Sequence, residues 1–240
     1  MKIKAVIAAA AAVGLCASAF CQTVKSNSKS ETTVESEYLS NVEDVIISEL
    51  SMSEDYDSKM VALQYLESSI EDGRASPEMQ HALDSLSGEG TNTVARTKGR
   101  LSNNYPDIRA KACELLGRMP TTESTNTLIN VVKADTEPMV LSAAVRSLGE
   151  IGLNPRNEVI ETIALAQRKN AALNPTISFA YEVLVTYEKL PPLTEDKSLM
   201  IQSLSTIASN GRYVTPVRTK ALQVLKNLQG SGKGGKAAEK

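Results

Sequence analysis

Few side chains in this sequence stand at spacings that could do chemistry. His81 is the only histidine. A zinc or copper site needs several nitrogen or sulfur ligands drawn together, and a serine triad would have to use the same imidazole. The pattern predicts a helix over Ser76–Leu86 whose apolar stripe is Met79, Ala82, Leu83 and Leu86. That stripe turns His81 to solvent. Cys113 stands beside Ala112 on another predicted helix, where a cysteine serves as a small hydrophobe. A reactive thiolate wants a helix N-terminus or cationic neighbours, and Lys111 faces elsewhere on the helix. The run Glu54-Asp55-Tyr56-Asp57 lacks the glycine and terminal glutamate of a calcium loop, so it reads as acidic helix-start charge. Near the end, Gly230 to Lys236 has the spacing of a phosphate-binding loop. It follows a helix rather than a strand, and Ala237 stands where the hydroxyl should be. The expectation is a non-enzyme with no cofactor, no metal and no nucleotide.

The N-terminus reads MKIKAVIAAAAAVGLCASAFCQ. Lys2 and Lys4 precede an apolar run from Ala5 to Leu15, and small residues follow. That is the pattern of a secretory signal peptide over 1–21, too short and too alanine-rich for a membrane span. Cleavage after Ala19 or after Cys21 fits the small-residue rule, and the second leaves Gln22 as the new N-terminus. A lipidated cysteine needs a small residue before it, whereas Leu15 and Phe20 precede Cys16 and Cys21. Membrane attachment is therefore not expected. Cleavage after Cys21 leaves Cys113 alone, so no disulfide framework is expected. The formal charge of −2 argues against a nucleic-acid partner, which calls for a basic excess. The expected location is the periplasm or the outside of a bacterial cell, with another envelope protein as partner.

Residues 22–40 are rich in Ser, Thr, Lys and Glu and read as a disordered spacer. Residues 230–240 read as a flexible Gly/Lys tail. Between them, 41–229 carries internal similarity. Pro106, Ile108, Ala112, Leu116 and Gly117 coincide in spacing with Pro138, Val140, Ala144, Leu148 and Gly149. A third copy starts at Pro175, with Ile177, Tyr181 and Val185 in register and Thr186 in place of the glycine. A fourth runs over Thr215–Leu225 with Ala221, and a weaker one opens at Tyr56 with Ala62 and Leu66. After a longer first unit the period is about 32 to 40 residues.

Each position has a physical reading. Proline belongs in a first helical turn, whose N–H groups lack partners. The apolar positions line one helix face, with alanine where backbones approach. Glycine is expected to end the helix in a left-handed conformation. Second helices follow at Ser76–Leu86, Thr122–Lys133, Asn157–Lys169 and Thr194–Ser209. One such hairpin cannot bury its own apolar face, and stacked hairpins can. Gly88–Asn104 interrupts the spacing and is expected to be a loop with a short helix.

The pattern P-D-I-R-x-x-A-x-x-L-L-G, echoed by P-M-V-L-x-x-A-x-x-x-L-G, resembles HEAT repeats and the HEAT-like repeats of phycobilin lyases. Asp107-Ile108-Arg109 matches the family's Asp-Val-Arg signature, whereas Met139-Val140-Leu141 lacks the arginine. The resemblance implies an all-α fold, an α-solenoid of about four to five helical hairpins. It also implies that second helices line the concave binding face. Removing the buried stripes leaves Asn126, Asn130 and Lys133 there, then Glu158, Glu161 and Arg168, then Gln202 and Thr206. The function expected is a non-catalytic protein-binding adaptor of the envelope. A chromophore-lyase-like protein, an accessory subunit of an envelope enzyme and a cell-wall glycan binder are the alternatives. With no Trp in the chain, the last has little to stack a sugar on.

Overall fold

The computed structural model describes residues 33–194 and 196–230. The leader, its cleavage positions, Cys16, Cys21 and the Gly/Lys tail after Gly230 lie outside the described residues. Contacts divide the chain at Tyr38 and Leu39. Of the first unit only the opening turn of one helix is described, and the architecture is that of the second.

The described residues form ten α-helices: α1 (Val34–Met52), α2 (Tyr56–Glu71), α3 (Pro77–Ser87), α4 (Pro106–Gly117), α5 (Thr122–Ala134), α6 (Pro138–Ile151), α7 (Glu158–Leu173), α8 (Ile177–Lys189), α9 (Ser198–Ser209) and α10 (Thr215–Gly230). From α2 onward they alternate between two layers. Helices α2, α4, α6, α8 and α10 pack side by side as the first layer, and α3, α5, α7 and α9 follow one another as the second. The chain is an all-α solenoid of helical hairpins. Four hairpins are complete, and α10 is a first helix with no described partner.

Local sequence starts these helices where capping chemistry allows. The Asp55 carboxylate accepts from the Ser58 amide at 2.9 Å, Ser76 Oγ from Met79 at 3.1 Å and Thr121 Oγ1 from Ser124 at 2.9 Å. These are N-caps that satisfy amides without helical acceptors. Pro77, Pro106 and Pro138 all lie in first turns.

Several sequence expectations are corrected. Helix α1 begins at Val34, inside the stretch read as a spacer. Gly117 is the last residue of α4 but is not left-handed, whereas α6 runs past Gly149 to Ile151 and Gly152, at φ +69°, makes its left-handed stop. The two glycines instead let first-layer helices touch. A methyl at Gly117 would sit 2.6 Å from Ser147 Oγ on α6, and one at Gly149 would sit 2.8 Å from Thr186 Oγ1 on α8. Thr186 is thus the residue received by the preceding glycine, and its hydroxyl donates to Val145 O at 2.9 Å. The third copy is also out of register. Pro175 precedes α8 instead of opening it, Tyr181 is exposed, and Ala180 takes the buried place. Left-handed Arg156 and Asn157 delay α7 to Glu158. A 3₁₀ turn at Pro191–Leu193 delays α9 to Ser198, with Thr194 outside it.

The insertion holds no helix. Two short strands, β1 (Arg96–Thr97) and β2 (Arg100–Leu101), pair antiparallel. Lys98 and Gly99 turn between them with φ of +51° and +81°, a conformation whose twist suits a two-residue hairpin. Buried polar groups clamp its base. Asn103 donates to Glu89 at 2.6 Å, and Glu89 pairs with Lys59 of α2 at 2.9 Å. Arg109, 1 % exposed, donates to Glu89 O at 3.0 Å, Asn104 at 2.9 Å and Asp135 at 2.6 Å.

A candidate interaction surface on the second helices

The two layers differ in what they leave open. Across the first layer, exposed charges neutralise one another from helix to helix. Lys111 of α4 meets Glu67 of α2 at 2.7 Å, Arg146 of α6 meets Glu182 of α8 at 2.9 Å, and Lys220 of α10 meets Glu188 of α8 at 2.8 Å. The hydrogen bond from Lys111 holds the Glu67 carboxyl below the usual range, and the Glu182 carboxylate raises Arg146 further. The same layer leaves Met139, Tyr181 and Leu222 exposed.

The second layer carries the eight residues expected to bind a partner. The structure places Asn126, Asn130 and Lys133 on α5, Glu158, Glu161 and Arg168 on α7, and Gln202 and Thr206 on α9. Glu158 and Thr206 are half-buried and the other six are exposed. It joins two pairs, Lys133 to Glu158 at 3.0 Å and Arg168 to Gln202 at 3.5 Å. Asn126, Asn130 and Glu161 make no side-chain hydrogen bond among the described residues. The eight form a loose polar surface instead of a converging site.

Next to that surface lies a groove of about 480 Å³ between the end of α5, the start of α6 and the outward side of α7. Leu141, Leu165, Ala166 and Leu173 supply its apolar lining, and Lys133 and Lys169 stand on its rim. Leu165 is 59 % exposed and Leu173 is 74 % exposed. Sequence reasoning passed over these residues because it followed one stripe, Val159, Ile160, Ile163 and Ala164. Leu165, Lys169 and Leu173 repeat every four residues and form a second row on α7, which was the available signal. Asp135 shapes the opposite wall. Its carboxylate accepts from the amides of Thr136 at 2.7 Å and Glu137 at 2.8 Å, fixing the turn into α6. Arg109 neutralises it, Glu158 pairs with Lys133, and Lys169 is left without an ion pair among the described residues.

The residues that could have done chemistry are placed elsewhere. His81 is exposed on α3. Cys113 is fully buried, and that burial pushes its thiol well above its usual range, which leaves no thiolate at neutral pH. Among the described residues no cluster of His, Cys, Asp and Glu could hold a metal ion, and no helix is long and apolar enough to cross a membrane.

A sequence profile of HEAT repeats matches residues 93–174. The match takes in α4 to α7, the two hairpins that carry the groove and the Arg109–Asp135 pair. Over that span the chain is similar to HEAT repeats. No curated protein and no solved structure matches it.

Proposed function

We propose that this protein is a non-catalytic scaffold that binds another protein through its second-helix layer, with the α5–α7 groove as the centre of the contact. One observation carries the reading. Against α7 lies an apolar groove of about 480 Å³ with two exposed leucines, Leu165 and Leu173, and a lysine, Lys169, that has no ion pair among the described residues. HEAT-type solenoids present such extended surfaces to partners. The groove's lining contains no aromatic side chain, which favours a peptide segment over a glycan. The secretory pattern at the N-terminus adds the envelope as the place of work.

Comparative capture from the native envelope tests this. Leu165→Asp should lose the partners that the wild-type protein retains, while Glu78→Gln on α3, away from the groove, should keep them. Equal capture by both variants, with unchanged melting curves, would exclude the groove.

A further inference from the structure

Helix α1 is amphipathic in the wrong direction for its own domain. Its inward side mixes Ser40, Glu43, Asp44 and Ser51 with two apolar side chains, Ile47, fully buried, and Leu50, partly buried against the core. Arg74, from the turn after α2, holds this side by donating to Ser40 O at 3.1 Å and Asp44 at 2.5 Å, and it also pairs with Glu43. Lys59 of α2 donates to Ser51 O at 3.2 Å. The outward side carries Leu39, Val42, Val45, Ile46 and Met52, all exposed, with Val45 at 63 %. Their spacing places them on one face of the helix. Exposed apolar faces of this extent mark interaction sites in soluble proteins.

Charge says what fits that face. Helix α1 contains Glu35, Glu37, Glu43, Asp44 and Glu49 and no basic residue. Glu49 is exposed beside the apolar row and has no partner among the described residues. The α5–α7 groove offers the complement: an apolar trough whose rim carries Lys169, while its one acidic wall residue is neutralised by Arg109 and Lys133 is paired with Glu158. The insertion tied to that same arginine carries exposed Arg96, Lys98 and Arg100. Lys169 has no ion pair among the described residues. An amphipathic helix with its apolar face in a hydrophobic groove is a recurrent mode of recognition. Within one molecule α1 is held against α2 by Arg74 and Lys59, so it cannot reach the groove without breaking those bonds.

We infer that the occupant is a second copy of this chain, whose α1 lies in the α5–α7 groove. This rests on the groove being a binding site, as proposed above, and names a ligand for it. The two surfaces differ, so the contact is heterologous. It closes when two copies exchange α1 reciprocally and propagates when they do not.

Sedimentation velocity on the purified chain alone tests the inference. Association should be visible over about 1–100 µM, the range of modest protein affinities, and should weaken with added salt. Leu165→Asp and Val45→Asp should each weaken it by about tenfold or more, because each buries a charge at the centre of the contact. Lys169→Glu and Glu49→Lys should each weaken it singly and restore it when combined. All four positions are exposed, so melting curves should stay close to wild type. A monomer throughout the range would overturn the inference, and so would association lost with Val45→Asp but untouched by Leu165→Asp. With no other protein present, a monomeric result leaves the groove as a site for a different partner, whereas failed capture by an intact groove counts against the proposed function itself.

Discussion

The first-helix and second-helix layers come from the same repeating hairpin, yet they meet different demands. In the first layer, Gly117 takes in Ser147 and Gly149 takes in Thr186, so α4, α6 and α8 approach closely with little room for change. Its outer charges are paired across helices. In the second layer, α5, α7 and α9 bury one side each, α7 leaves Leu165 and Leu173 outward, and α5 leaves Asn126 and Asn130 outward. A solenoid can separate stability from recognition in this way: one layer carries the close packing, and the other is free to vary. The groove sits where the outward row of α7 meets the end of α5 and the start of α6.

The contrast breaks first at the seam between the layers, where a first-layer arginine holds a second-layer turn. Arg109→Met should leave Asp135 buried without its counter-charge and cost about 3–5 kcal/mol. Denaturant titration would measure it, and a loss below about 1 kcal/mol would mean that Asp135 finds water. Next comes one change made in both layers. Leu116→Ala, at a fully buried site, should cost about 2–5 kcal/mol, while Leu165→Ala should stay within about 0.5 kcal/mol. Similar losses at both would erase the distinction between the layers.

A smaller effect probes the close packing. Gly117→Ala should cost about 1–3 kcal/mol by overpacking against Ser147, and adding Ser147→Gly should recover much of it. Additive losses in the double variant would show that the two residues are not coupled. On the open layer, Asn130→Ala with Lys133→Ala removes an exposed bridge to Glu158 and should shift stability by about 0.5 kcal/mol or less. Thermal melting checks this, and a drop of several degrees would give these residues a structural role. The smallest signal is chemical. Thiol titration of the folded protein should read the same for wild type and Cys113→Ser, and the two should differ by one thiol only after unfolding.

Much of this architecture was legible in the chain. Pro106 and Pro138, the caps Asp55, Ser76 and Thr121, and the apolar rows with Ala112 and Ala144 mark helices by local rules: missing N–H groups, capping oxygens and a period of 3.6. Those rules act within a few residues, so a sequence states them directly. The same locality put His81 on an outward face and Cys113 on a buried one. Tertiary structure decided the rest. Gly149 reads as a helix stop, yet α6 runs on to Ile151, and both Gly149 and Gly117 are contact points for the next helix. The register of α8 slipped because the distance from Pro175 to the helix was set by the turn before it. Arg109 matched a family signature, but its partner Asp135 lies across a hairpin. The groove arose because Leu165 and Leu173 had no helix set against them. Periodicity says which residues share a face, and only packing decides which faces are covered.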